Sequence, residues 1–135
     1  MKKTPIRNRS QSDRAKLERK ADGLWQEAIV SILHGRCMRC PSKYGVVGHH
    51  VQGRANKHLR HKLLNGVALC HNHHLLTESD PAEFLLWLRS DPKMKHHARF
   101  YEENHGIPPA PWHRSSIQRD IEELTELLNP KQKEK

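Results

Sequence analysis

Residues 37–74 read CMRCPSKYGVVGHHVQGRANKHLRHKLLNGVALCHNHH, and two sets of ligand-type residues interleave within them. The outer set is Cys37, Cys40, Cys70 and His73, two pairs that each enclose two residues. A C-x-x-C pair on a tight knuckle brings two sulfurs to one side, and a second pair from a distant segment completes the tetrahedron that zinc prefers. Protein then fills every coordination position, so such a zinc staples the fold and leaves no opening for chemistry. The competing reading takes Cys70 as a buried apolar thiol and the other two cysteines as incidental. Against it, the set uses all three cysteines of the chain and adds a His at the matching offset.

The inner set is His49, His50, Asn65 and His74. Val46-Val47 leads into Gly48-His49-His50, and Val67-Ala68-Leu69 leads into Cys70. Both apolar runs are of strand length, and Asn65-Gly66 before the second is a strong turn signal. Polarity rises after Cys70, where a helix is expected, so His74 falls on its first turns. The predicted order is strand, loop, strand, helix, with a His pair ending the first strand and a His on the helix.

His-His, then Asn five residues before Cys, then Cys-x-x-His-His resembles the HNH endonucleases of the ββα-metal superfamily, in the variety embedded in a zinc knuckle. The resemblance covers roughly residues 36 to 90. It implies that His50 is the general base that activates water, that His49 and His74 are ligands of a catalytic divalent metal, and that Asn65 orders the loop and orients the base. Many members have Asp where this chain has His49. The site therefore carries less negative charge, and a hard ion such as Mg²⁺ is held less firmly than by a carboxylate. Small stand-alone members of the family often belong to phages, which the resemblance offers as context only.

The chemistry suits those residue types. Phosphodiester hydrolysis needs a nucleophilic water, a base with a pKa near neutrality, and a cation to stabilise charge on the leaving oxygen. Histidine meets the second need, and imidazole also binds Mn²⁺, Ni²⁺ or Zn²⁺. The blander reading of these histidines is an extended zinc cluster or a solvated basic loop. His71 is expected as an exposed helix residue, and His58 and His61 as loop residues near phosphates.

Between the two expected strands, Arg54, Lys57, Arg60 and Lys62 bring four positive charges and no acid. Runs of like charge are usually solvated loops, but this one follows the proposed base directly, so its side chains are expected on DNA phosphates. The whole chain points the same way: 135 residues with a formal charge of +9 and 5% aromatic residues. Net positive charge of this size favours polyanions, and a chain this poor in apolar bulk needs a metal staple. No run approaches the ~20 apolar residues of a membrane span. The basic N-terminus lacks the apolar core of a secretory signal. Three cysteines assigned to a metal argue for a reducing compartment, so the expected location is cytoplasmic.

Residues 1–12 read as a flexible basic arm. From Ser12 or Asp13 to Gly35 an amphipathic helix is expected, with Leu17, Ala21, Leu24, Trp25, Ala28, Ile29 and Ile32 as its stripe, Trp25 as a core anchor, and Gly23 as a possible break. Asp80-Pro81 and Asp91-Pro92 are helix starts. The first carries Phe84 and Trp87 towards the zinc module, and the second runs towards Gly106 with His96 and His97 exposed. Residues 107–111 are a stiff proline-rich linker. Ser116 then caps a helix with Ile117, Ile121, Leu124 and Leu128 on one face and Asp120 among the acids elsewhere; it packs on the body, on a second copy or on another protein. These readings divide the chain into 1–12, 13–35, a nuclease domain at 36–106, and 107–135.

The resulting expectation is an α+β fold, a ββα-metal (HNH) core stapled by a structural zinc and flanked by helices. Its expected activity is cleavage of DNA, taken as duplex, to leave a 5′-phosphate, as the resemblance implies. A non-catalytic zinc-stapled DNA-binding module and an RNA-directed nuclease are the alternatives, since no base-stacking aromatic series separates DNA from RNA.

Overall fold

The apolar stripe that begins near residue 13 forms a single helix, α1 (Arg9–Ser31), in a computed structural model that describes residues 9–52, 58–106, 108 and 113–129. Gly23 does not break it. The residue sits on the exposed side, while Ala21, Trp25, Ala28 and Ile29 are buried. Their packing outweighs the roughly 1 kcal/mol that a helical glycine costs relative to alanine. Ile32 lies past the helix end and is exposed, and Gly35, at φ +82°, closes the turn that follows.

Two short strands come next, β1 (Val47–His50) and β2 (Gly66–Leu69). They pair antiparallel with Val47 opposite Leu69, Gly48 opposite Ala68, His49 opposite Val67 and His50 opposite Gly66. All four residues of β2 are buried. Outside the ladder, the Gln26 side chain takes both peptide groups of Gly48, accepting from its N–H at 2.8 Å and donating to its carbonyl at 2.9 Å.

Helix α2 (His71–Ser79) follows β2 directly, then α3 (Pro81–Ser90) and α4 (Lys95–Asn104). Asp80 caps α3 by accepting from Glu83 N–H, with Pro81 in the first turn. Asp91 accepts from Lys93 N–H and starts a short 3₁₀ turn that runs into α4. His97 on α4 is half-buried, not exposed as expected, and burial lowers its pKa. The final helix, α5 (Arg114–Leu128), starts two residues before Ser116, because the His113 carbonyl already accepts from Ser116 and Ile117.

Helix α5 packs on α1. Asp120 belongs to its buried face with Ile117 and Leu124, a correction that the spacing 117, 120, 124 explains. One core joins Trp25, Ala28 and Ile29 of α1, Val67 to Leu69 of β2, Phe84 and Leu88 of α3, Met94, Tyr101 of α4 and Leu124 of α5. The flanking segments are thus structural partners of the central one. The fold is mixed, several helices around a two-stranded sheet, which places it in the α+β class. Among the described residues no helix is long and apolar enough to cross a membrane. Residues 1–8, most of the proline-rich stretch and the tail from 130 lie outside the described residues.

Gly66 is where α1 meets the sheet. A Cβ there would lie 2.5 Å from both Ile29 Cδ1 and Trp25 Cζ2. Gly66→Ala is therefore expected to destabilise the protein by about 1–3 kcal/mol through overpacking, read as a lower midpoint in urea unfolding; an unchanged midpoint would mean that α1 sits farther from the sheet.

Candidate active site and metal centre

The knuckle at residues 37–42 places two sulfurs because its backbone turns back on itself: Cys37 N–H donates to the Ser42 carbonyl at 2.9 Å, and Arg39 N–H points at Cys37 Sγ at 3.3 Å. Met38 N–H donates to the Ala68 carbonyl at 2.8 Å, which docks the knuckle on β2. Cys70 follows that strand and N-caps α2, so His73 lies on the first turn facing the knuckle.

The donor atoms of Cys37, Cys40, Cys70 and His73 all lie within 4.8 Å of one another, close enough to hold a metal ion such as zinc. Cys40 Sγ is 3.8 Å from Cys70 Sγ, and His73 Nδ1 is 3.6 Å from Cys37 Sγ and 3.3 Å from Cys70 Sγ. Zn–S bonds of about 2.3 Å and Zn–N of about 2.0 Å at tetrahedral angles require separations of about 3.8 Å and 3.5 Å. The four residues fit that ion. Arg39 anchors the knuckle to α3 through a two-pronged pair with Glu83, both contacts at 2.7 Å, and its guanidinium lies over the Trp87 ring. The Arg39 hydrogen bond holds the Glu83 carboxyl below its usual range.

Three of the inner set, His49, His50 and His74, line a cavity of about 550 Å³ with Asp22, Trp25 and Glu78, among others, while the fourth, Asn65, is not among its lining residues. His49 and His74 meet edge to face with ring centroids 5.5 Å apart, and Phe84 backs His49. Burial pushes the His49 pKa below the ordinary histidine value, and His74 adds to the effect. A neutral ring keeps the lone pair that a metal needs. Glu78, one turn after His74 on α2, places Oε1 3.3 Å from His74 Nε2. His49, His74 and Glu78 form a looser set than the cysteine cluster, which is the group of three or more ligand residues that closes among the described residues.

His50 is fixed from two directions. Its ring stacks on Trp25, with centroids 3.9 Å apart and planes 4° from parallel. Its Nε2 lies 2.9 Å from the Arg60 carbonyl oxygen. A carbonyl only accepts, so in the neutral ring the proton sits on Nε2 and the lone pair on Nδ1. Asn65 is fully buried: its Oδ1 accepts from Gln52 N–H at 2.8 Å, and its Nδ2 donates to the Leu59 carbonyl at 3.2 Å. That amide ties together the two ends of the loop between the strands.

Of the four cations expected on phosphates, Arg60 is turned inward. Arg54 and Lys57 lie outside the described residues. Arg60 is 8% exposed and pairs with Glu18 and Asp22 of α1, so it is spent inside the protein. His61, also expected near phosphates, is buried between Asp22 at 2.7 Å and Asp120 at 3.5 Å. Lys62 keeps a half-exposed side chain near Asp120. The sequence reading missed these acids and Glu78. Glu18 and Asp22 are one turn apart beside the apolar stripe, and Glu78 follows His74 at the same spacing, which was the available signal.

No protein-family model, curated protein or solved structure matches the chain. Its function must therefore be argued from the site itself.

Replacing Cys40 with Ser is expected to lower bound zinc and the melting temperature together, because binding energy on the order of 10 kcal/mol is coupled to folding in such sites. Metal analysis and calorimetry on one preparation check this; loss of zinc with parental melting would separate the cluster from folding.

Proposed function

We propose that the chain is a metal-dependent HNH-type endonuclease that hydrolyses phosphodiester bonds in duplex DNA, built on a ββα-metal core with a structural zinc at Cys37, Cys40, Cys70 and His73. The observation that carries this reading is the set of restraints on His50. A ring stacked on Trp25, with its Nε2 directed at a backbone carbonyl, is held in a fixed orientation at the cavity that His49 and His74 also line. A general base requires that arrangement.

In this reading His50 Nδ1 takes the proton from the attacking water, and the Arg60 carbonyl stabilises the imidazolium that forms. Asn65 holds the loop that carries the carbonyl. A catalytic divalent ion, Mg²⁺, Mn²⁺, Ni²⁺ or Zn²⁺, would be held by His49 and His74 and would supply positive charge to the leaving oxygen. Two imidazoles on one ion place their ring centroids roughly 5 Å apart with metal–nitrogen bonds near 2.1 Å, which the 5.5 Å separation matches. Glu78 offers the carboxylate that His49 withholds, and the looseness of the set suits an open catalytic shell. Cations of the loop and arm, Arg54, Lys57 and Lys62 among them, would contact the DNA backbone. Thiols kept for a metal suit a reducing compartment, so a cytoplasmic setting goes with the reading.

The deciding experiment incubates the purified protein with supercoiled plasmid in Mg²⁺, Mn²⁺, Ni²⁺ or EDTA, with a structured RNA in parallel. Metal-dependent nicking is expected, and His50→Ala should reduce it by about 10²- to 10⁴-fold while leaving zinc content as in the parent. Plasmid binding with no cleavage in any metal would instead favour a DNA-binding module. Cleavage of RNA alone would shift the substrate class. A second expectation concerns salt: replacing Arg54 and Lys57 with Ala should flatten the log-log dependence of DNA affinity by about 0.9 for each phosphate that is no longer neutralised, measured by fluorescence anisotropy.

A further inference from the structure

Helix α1 lies outside residues 36–90, yet three of its side chains reach the proposed base through one short segment. Arg60, the residue whose carbonyl oxygen receives His50 Nε2, has its guanidinium between two acids: Nη1 donates to Glu18, and Nη2 donates to Asp22 Oδ2 at 2.7 Å. The other Asp22 oxygen stands 2.7 Å from His61 Nε2, so one carboxylate grips two consecutive residues of the loop. Trp25, three residues further along the helix, donates its indole N–H to the Lys62 carbonyl at 3.0 Å and stacks on the His50 ring. Glu18, Asp22 and Trp25 therefore share one helix face, and together they reach residues 60–62 and His50 itself.

Stability alone is a weak reason for such a cluster. Removing an arginine and two carboxylates from water is costly, and apolar side chains of similar volume commonly stabilise a fold as well or better. An arginine fork between two carboxylates supplies direction instead. It fixes the guanidinium in its plane at two points, and through a short side chain-to-backbone link it limits how the peptide can turn. The peptide so limited carries the oxygen that sets the tautomer of His50.

We propose, building on the endonuclease reading, that Arg60 is a positioning residue for His50: held by Glu18 and Asp22, it aims the carbonyl that keeps the His50 proton on Nε2. The basic residue expected to bind phosphate acts from within, and α1 becomes part of the active-site scaffold.

The test uses near-isosteric changes that preserve packing: Glu18→Gln, Asp22→Asn, their combination, and Arg60→Lys, which keeps the charge but not the fork. Arg60→Met is added where it folds. Protein labelled with ¹⁵N in the imidazole rings reports the His50 tautomer directly, with His50→Ala assigning the signal. The parent should show a single Nε2–H tautomer. The double variant should show both tautomers, with the single-turnover nicking rate lower by roughly 10- to 10²-fold, the range expected when a reacting group is misplaced by about 1 Å. Arg60→Lys should fall between the two. DNA affinity and its salt dependence should not move in Arg60→Lys, because a buried, paired Arg60 releases no counterions. If every variant merely melts earlier while the His50 tautomer stays that of the parent, Arg60 is structural only and the assignment falls. A flattened salt slope in Arg60→Lys would overturn it as well, by returning Arg60 to the phosphate surface. Should the parent cut no nucleic acid, the endonuclease reading fails on its own, and the tautomer comparison still decides what Arg60 does.

Discussion

Trp25 makes the contact on which the other parts of the molecule converge. Its indole is 1% exposed and touches three structures at once: the backbone of β2 at Gly66, the ring of His50 at the end of β1, and the carbonyl of Lys62 in the loop between them. Few side chains can do this, because it takes a large flat apolar surface with one hydrogen-bond donor at its edge. A two-stranded ribbon is marginal in water without something to pack on. Here α1 supplies that surface, and the glycine opposite His50 lets the helix come close enough to do so. The position of the sheet, and with it the histidine pair, follows from how α1 lies.

Beside the outer edge of β2 the cysteine cluster plays the complementary part. It joins the knuckle at residues 37–42 to the junction between β2 and α2. His73 and His74 are successive helix residues about 100° apart around the axis, so one faces the cluster and the other faces His49. The metal centre and the histidine pocket are thus neighbours through the backbone of a single turn, and the orientation of α2 fixes both.

Local pattern and local chemistry were readable in the chain. The knuckle spacing gave the four-residue cluster, the two apolar runs gave the strands, and Asp80-Pro81 and Asp91-Pro92 gave two helix starts, whereas Asn65-Gly66 is not a turn: Asn65 ends a short 3₁₀ helix and Gly66 is the extended first residue of β2. What could not be read was which charges face inward. Arg60 and His61 sit in a loop with no acid of its own, and their partners come from α1 and α5, both distant in sequence. A run of like charge looks solvated until the fold supplies opposite charges from elsewhere. Asp120 was misplaced for the same reason: an acid at a buried helical position makes sense only when its distant partners are known. The closing of α5 onto α1 was left open because an amphipathic face announces that it will be covered without naming the cover.

The paired hydrogen bonds of Gln26 to Gly48 have a further consequence. A two-stranded sheet exposes a row of amide and carbonyl groups along each outer edge, and such an edge can recruit a strand from another molecule. On β1 the Gln26 side chain, itself an amide, takes the place that the backbone of a third strand would occupy at its middle. On β2 the knuckle does likewise through Met38. The ribbon is closed at both sides by pieces of its own chain, which makes it a poor template for strand addition and allows so small a sheet to remain two strands wide at high protein concentration.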